Sequence, residues 1–395
     1  MKSFASILAL ISLVVAGPLA FDVPEQVTLN AAQQETYPGF DLDLNELRLV
    51  QREGQSPEWI TELDKINLKA QGINFFDITD TPSLGFSAHL RNTLKPTFPA
   101  PNASAAVRQV IQELSTDGPL ENLKKLTSFR TRYYRSQTGK DSQQWLLSKI
   151  VEITSQYAHK SLKDLISIKE FSHSWGQNSI IARIQGSSAT DDSVVIIGAH
   201  QDSTNMWPFL PAPGADDDGS GTVTILESYR ALINSNFHPV RTVEFHWYAA
   251  EEPGLLGSAA VAQDYEARSA NVYAMSQFDM TAWVKNGTRE EVGIITDYTD
   301  NGLTNFNKQL VDAYLDIPYV ETKCGYACSD HASWGKAGYP STFTIESTFE
   351  NSNKFIHSTN DKLDISPEFS FTHMLEFSKL AVAFAIELAG WEKGN

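Results

Sequence analysis

The sequence is short of cysteine, with only two in 395 residues. That excludes a disulfide-dense scaffold and any structural zinc site built from four thiolates. It is also short of basic side chains, 31 Lys and Arg against 48 Asp and Glu, for a formal net charge of -17. Nucleic acid and anionic membrane surfaces need clustered Lys and Arg, so neither is expected as a partner. Past the N-terminus no apolar run approaches the roughly 20 residues of a membrane-spanning helix. There is no Gly-x-Ser-x-Gly elbow, no His-Glu-x-x-His helix and no Gly-x-x-x-x-Gly-Lys phosphate loop. What remains is 42% hydrophobic and 20% charged, enough apolar surface for a globular core of one large domain or two.

The first stretch, "MKSFASILALISLVVAGPLA", has an early Lys, an apolar run and a small-residue end. It reads as a secretory signal over residues 1–20, since the run is short for a membrane anchor. Residues 21–80 hold 12 acidic and 4 basic side chains, and the chain then passes into a stretch rich in Pro, Ser and Asn. An acidic segment ahead of such a linker is expected to be a propeptide over 21–87, with a catalytic domain over 88–395. A permanent N-terminal subdomain is the alternative. Asn102 and Asn286 open N-glycosylation sequons. In an oxidising compartment Cys324 and Cys328, four apart, are expected to pair as a local disulfide, with a zinc pair as the rival reading.

From about residue 103 the patterns alternate. Ala103–Leu114, Gln143–Tyr157, Thr222–Ile233 and Phe371–Leu388 space apolar residues at three and four, which predicts helices. Ser179–Ile184, Ser193–Ile197, Thr242–Tyr248, Asn271–Phe278 and Val292–Thr296 are short and apolar with β-branched or aromatic residues, which predicts buried strands. The alternation implies an α/β domain with a buried central sheet flanked by helices.

In such sheets ligands gather at the carboxyl ends of the strands. His200 and Asp202 follow one predicted strand, Glu251 and Glu252 another, and Asp279 a third, while Asp217 sits in the loop before a helix. Each alone reads as a packing histidine, a solvated turn or an acid at a helix start. His246, inside a strand, reads as an ordinary core histidine. Together the carboxylates would repel one another in a partly buried site unless a cation sat among them. Histidine plus carboxylate without thiolate suits catalytic zinc, and the number of ligands suits two ions sharing a carboxylate.

The motifs "GAHQDS", "PGADDDGSG", "AAEEPGLLGS", "FDM" and "FIHSTND" resemble those of the secreted fungal leucine aminopeptidases and their bacterial relatives, the co-catalytic di-zinc aminopeptidases. The resemblance runs from about Leu120 to the C-terminus. It implies a single zinc-peptidase-type domain with a mostly parallel mixed sheet. It further implies two zinc ions, one held by His200 and Asp279, the other by Glu252 and His357, with Asp217 bridging them. Glu251 would be the general base for a metal-bound water, and Asp202 would accept the second N–H of His200. Tyr326, in the loop between the two cysteines, would donate to a developing oxyanion. Met280, Phe349 and Ile356 are candidates to line a pocket for a leucine-like side chain, and equally candidates for core.

The expectation is a secreted, monomeric metallo-aminopeptidase that removes leucine and other large apolar residues from peptides with a free N-terminus. The alternatives are a glutaminyl cyclase-like enzyme with one zinc and a binding module that keeps the fold without catalysis.

Overall fold

The structure is a computed structural model that describes residues 37–92 and 95–392. The expected signal over 1–20 and the start of the expected propeptide, up to residue 36, lie outside the described residues. The described N-terminal part forms a small antiparallel sheet of β1 (Leu47–Gln51), β2 (Glu58–Thr61) and β3 (Phe76–Asp77), with α1 (Glu62–Ala70) between β2 and β3. Its buried ionic centre joins Arg48 to Asp77 at 2.8 Å and Lys65 to both Glu62 at 2.8 Å and Asp77 at 3.0 Å.

The remaining strands are β4 (Ile166–Phe171), β5 (Ser179–Ile184), β6 (Val194–His200), β7 (Thr242–Tyr248), β8 (Val272–Phe278), β9 (Val292–Ile295), β10 (Tyr319–Thr322) and β11 (Ser341–Ile345). They form one eight-stranded sheet in the order β10-β9-β11-β8-β6-β7-β5-β4. Four neighbouring pairs are parallel and three antiparallel, so the expected mostly parallel mixed sheet is what is found. β6, "VVIIGAH", is buried along its whole length, as a strand covered on both faces must be.

The helices are α2 (Ala88–Asn92), α3 (Ser104–Ile111), α4 (Asp117–Leu126), α5 (Gln137–Tyr157), α6 (Lys160–Lys163), α7 (Gly219–Asn234), α8 (Leu256–Ala267), α9 (Asn301–Tyr314), α10 (His331–Lys336) and α11 (Phe371–Ala389). The strand period of two sorts the β6 side chains between two helical layers. Val195, Ile197 and Ala199 pack with α3, α5, α7, α9 and α11, whereas Val194 and Ile196 pack with α8 and α10. α11 is apolar nearly all round, with Phe377, Leu380 and Phe384 buried, because it lies between the sheet and its neighbouring helices. Among the described residues no helix is long and apolar enough to cross a membrane.

One correction to the sequence expectation bears on the site. The predicted strand Ser193–Ile197 continues to His200, paired with Tyr248 of β7. His200 is therefore held by the sheet itself rather than by a following loop. β6 runs parallel to both β7 and β8, so their carboxyl ends open onto one rim.

Candidate metal centre

Three strand ends deliver polar side chains to that rim. β6 ends on His200; β7 is followed by Glu251 and Glu252; β8 is followed by Asp279. The fourth contribution comes from the loop into α7, where Asp218 caps the helix by accepting from the Gly221 N–H at 2.8 Å, the usual service of an aspartate at that position. Asp218 also accepts from the His200 N–H at 3.1 Å and the Met280 N–H at 3.1 Å. One buried carboxylate thus pins β6, the segment after β8 and the start of α7 together. Gly221 is required there, because a Cβ would run into the Asp218 carboxylate and the Phe278 carbonyl.

The result is two clusters with the geometry of metal ligands, His200–Asp217–Asp279 and Asp217–Glu252–His357. Asp217 belongs to both. Its Oδ1 lies 3.2 Å from His200 Nε2 and its Oδ2 lies 3.0 Å from His357 Nε2. His200 Nε2 is 3.7 Å from Asp279 Oδ1, and His357 Nε2 is 3.0 Å from Glu252 Oε2. Both ring nitrogens of His200 and Oδ1 of Asp279 are buried without a hydrogen-bond partner among the described residues. Buried polar atoms are seldom left so, and a cation between His200 Nε2 and Asp279 Oδ1 would satisfy both of these, while Nδ1 faces Asp202.

The electrostatics agree. Burial alone would lower the pKa of His200, yet Asp279, Asp202 and Asp217 around it raise it well above the usual value. His357 is raised in the same way against burial by Glu252 and Asp217. The carboxylates are thus calling for positive charge at two places. Burial, reinforced by Glu252 and opposed by His200, also raises Glu251 well above the usual carboxylate range. Glu251 is in neither cluster, and its Oε2 stands 3.9 Å from His200 Nε2.

Asp202 stands 3.4 Å from His200 Nδ1, a long contact for the expected hydrogen bond. It has a second use that sequence reasoning missed: its two oxygens accept from the Glu251 N–H at 3.0 Å and the Glu252 N–H at 3.2 Å. Two further partners were missed. Asp361 accepts from the N–H groups of Asp216 and Asp217, each at 3.0 Å, and Ser329 donates to Asp279 Oδ2 at 2.6 Å. Asp361 closes the "FIHSTND" motif and Ser329 follows Cys328, so proximity to motif residues was the available signal. Ala250, Met280 and His357 hold positive φ of 53°, 56° and 54°. Each is a non-glycine residue in or beside the clusters, and such backbone concentrates at functional sites.

A cavity of about 220 Å³ adjoins the clusters. Met280, Phe349 and Ile356 line it and also pack with Phe343 and Ile345, so the pocket and core alternatives for these residues merge. Cys324 and Cys328 are joined in a disulfide. Their loop brings Tyr326 to the cavity wall, edge-on to Phe349 at 6.3 Å between ring centres. Lys69, Asn74 and Phe75 of the N-terminal part also line the cavity. Asn102 and Asn286 are exposed. His246 is buried between Glu244 at 3.0 Å and the Tyr248 hydroxyl at 3.0 Å, in keeping with a core role.

A model of peptidase family M28 matches residues 179–381, the span that carries every cluster residue. The chain belongs to peptidase family M28. It is similar to leucine aminopeptidase 1 of Coccidioides posadasii, 44% identical with 98% of this chain and 99% of that protein covered. Leucine aminopeptidase 1 of Penicillium rubens is 45% identical over 92% of this chain and 95% of that protein. Among solved structures, the LapA aminopeptidase of Legionella pneumophila superposes with a TM-score of 0.76 at 30% identity, covering 88% of this chain and 99% of that one. A glutaminyl cyclase of Porphyromonas gingivalis, at TM-score 0.55 and 15% identity over 70% of this chain and 99% of that one, shares the fold alone. The M28 chain is a peptide-bond hydrolase of the metallo-exopeptidase class, and the resemblance drawn from its motifs holds.

Proposed function

We propose that this M28 chain is a secreted, monomeric leucine aminopeptidase with two zinc ions. The observation that carries the reading is the placement of Asp217, one oxygen toward each histidine, which makes a shared ligand of a single side chain. His200 and Asp279 would complete one zinc site, and Glu252 and His357 the other. Zinc held there supplies Lewis acidity and a water nucleophile at neutral pH. Glu251, buried and anchored through its backbone, takes the proton of the attacking water and passes it to the leaving amine. The Tyr326 hydroxyl remains protonated, since burial and then the nearby Glu251 raise its pKa, so it serves as a donor to the developing oxyanion. A free α-amine, through its lone pair, would bind at one of the two metal sites, while Met280, Phe349 and Ile356 offer an apolar wall to the first side chain.

The test is a paired assay. Leucine p-nitroanilide is expected to be hydrolysed and its N-acetyl form to be turned over at least 100-fold more slowly, because acetylation removes the amine lone pair and leaves the polar groups that would receive it unpaired. Equal rates would overturn the exopeptidase reading. Conversion of N-terminal glutamine to a cyclised product by a one-zinc protein would favour the cyclase instead.

The segment 21–87 is proposed as a prosegment following a signal over 1–20. Support comes from Lys69, Asn74 and Phe75, which line the cavity beside the clusters, so the segment contributes to the wall that a peptide substrate would meet. N-terminal sequencing of the secreted, active protein should begin near residue 88. A mature protein that still starts near residue 21 would make the segment a permanent subdomain.

A further inference from the structure

Arg132 is among the largest fully buried side chains, yet among the described residues its guanidinium hydrogen-bonds to backbone carbonyls rather than to a carboxylate. Burying an arginine without a direct ion pair is costly, so its surroundings should repay it. Its three guanidinium nitrogens each donate to a backbone carbonyl. Nε donates to Gln201 O at 2.8 Å, one terminal nitrogen to Pro213 O, and the other to Gly214 O at 2.9 Å. Gln201 directly follows His200, and the Pro213–Gly214 turn leads into Asp217.

The same joint is tied a second time. Ser203 Oγ accepts from the Arg132 N–H at 3.0 Å and donates to Ala212 O at 2.8 Å. The chain crosses closely here because residue 214 is glycine, with φ of +55°. A Cβ on it would stand 2.5 Å from Ser203 Cβ, 2.6 Å from Asp217 O and 2.8 Å from the Arg132 terminal nitrogen. Burial lowers the pKa of the guanidinium, while Asp361, Asp202, Asp218 and Asp217 draw it back up, so the charge sits in the field of the acidic loops without pairing with any one of them.

We propose that Arg132 is a positioning residue of the metal centre, whose rigid fork fixes the spacing between the His200 strand end and the Asp217 loop. It rests on the two-zinc reading. A planar guanidinium can bridge three carbonyls from two segments, whereas an ammonium on a flexible stem cannot hold that span. Because the arginine reaches only backbone, it sets where the ligands stand without competing for their lone pairs. Its positive charge, acting alone, would weaken cation binding, so the two roles make opposite predictions.

The experiment measures zinc affinity by chelator competition, and zinc-dependent thermal stabilisation, on the secreted full chain. Wild type is compared with Arg132→Lys, Ser203→Ala and the remote core variant Val110→Ala. Arg132→Lys, which keeps the charge and loses the fork, should bind zinc about 10- to 100-fold more weakly, the usual cost of losing an outer partner of a metal ligand. Its kcat should recover with excess zinc. Ser203→Ala, which buries no extra charge, should lose several-fold and serves as the readout if the lysine variant does not fold. Val110→Ala should lower the melting temperature with and without zinc alike and leave affinity unchanged. Wild-type zinc affinity in Arg132→Lys, or in Ser203→Ala where only that variant folds, would overturn the proposal and leave the two-zinc reading standing. A wild type that binds no zinc would overturn both.

Discussion

Glu251→Gln should lower kcat on leucine p-nitroanilide by about 10²- to 10⁴-fold, the range contributed by a positioned general base, while zinc content stays at the wild-type value. The two readouts separate the roles of adjacent glutamates. Glu252 lies 3.0 Å from His357 and belongs to a ligand cluster; Glu251 belongs to none. Asp202 holds both backbone N–H groups, so the amide replacement leaves the loop in place and removes only the ionisable oxygen. In the metal-free protein burial, with Glu252 beside it, raises the pKa of Glu251. A loss of zinc in the variant would make Glu251 a ligand, and a fall of less than 10-fold would place the base elsewhere. KM should change little, because the side chain acts on the water rather than on the bound peptide.

The sheet was legible where its strands are buried and apolar. Ser179–Ile184 and Thr242–Tyr248 were bounded as they occur, since each is dense in Ile, Val and aromatic residues, the types enriched in strands, despite Arg183, Glu244 and His246 among them. β4, "ISIKEF", and β10, "YVET", escaped because they are edge strands, half exposed and mixed in composition. β11, "STFTI", escaped for another reason: it is fully buried, but two Thr and a Ser dilute its apolar signal. Within the site, the acids at strand ends could be read from sequence, and the resemblance sorted them into sets. Arg132, Asp361 and the Lys69–Phe75 wall could not be read this way. They act through backbone carbonyls, backbone N–H groups and tertiary packing, none of which leaves a spacing in the sequence. Asp202 shows the same limit: its place was legible, but its hold on the Glu251 and Glu252 backbone was not.

Asp217→Ala should abolish measurable activity and reduce bound zinc from two ions to fewer than one, a larger loss than His357→Ala, which removes one ligand from one cluster. The asymmetry follows from the two oxygens of Asp217 facing different histidines at 3.2 and 3.0 Å. Stability provides an independent reading of the same geometry. A ligand at 100 times its dissociation constant stabilises the folded state by about 2.7 kcal/mol per site, so chelation should lower the wild-type melting temperature by several degrees. In Asp217→Ala the melting temperature should hardly respond to chelator. Metal-free wild type keeps three cluster carboxylates, Asp217, Asp279 and Glu252, near two histidines whose pKa values are raised to meet them. Raising the pH through those values removes the histidine charges and leaves the carboxylates facing one another, so metal-free wild type should lose stability toward alkaline pH. Zinc restores positive charge at the same two places and should flatten that dependence. A shared carboxylate is therefore tested twice, by stoichiometry in the variant and by the alkaline limb in the metal-free wild type. An Asp217→Ala protein that still held two ions would dismantle the bridging assignment.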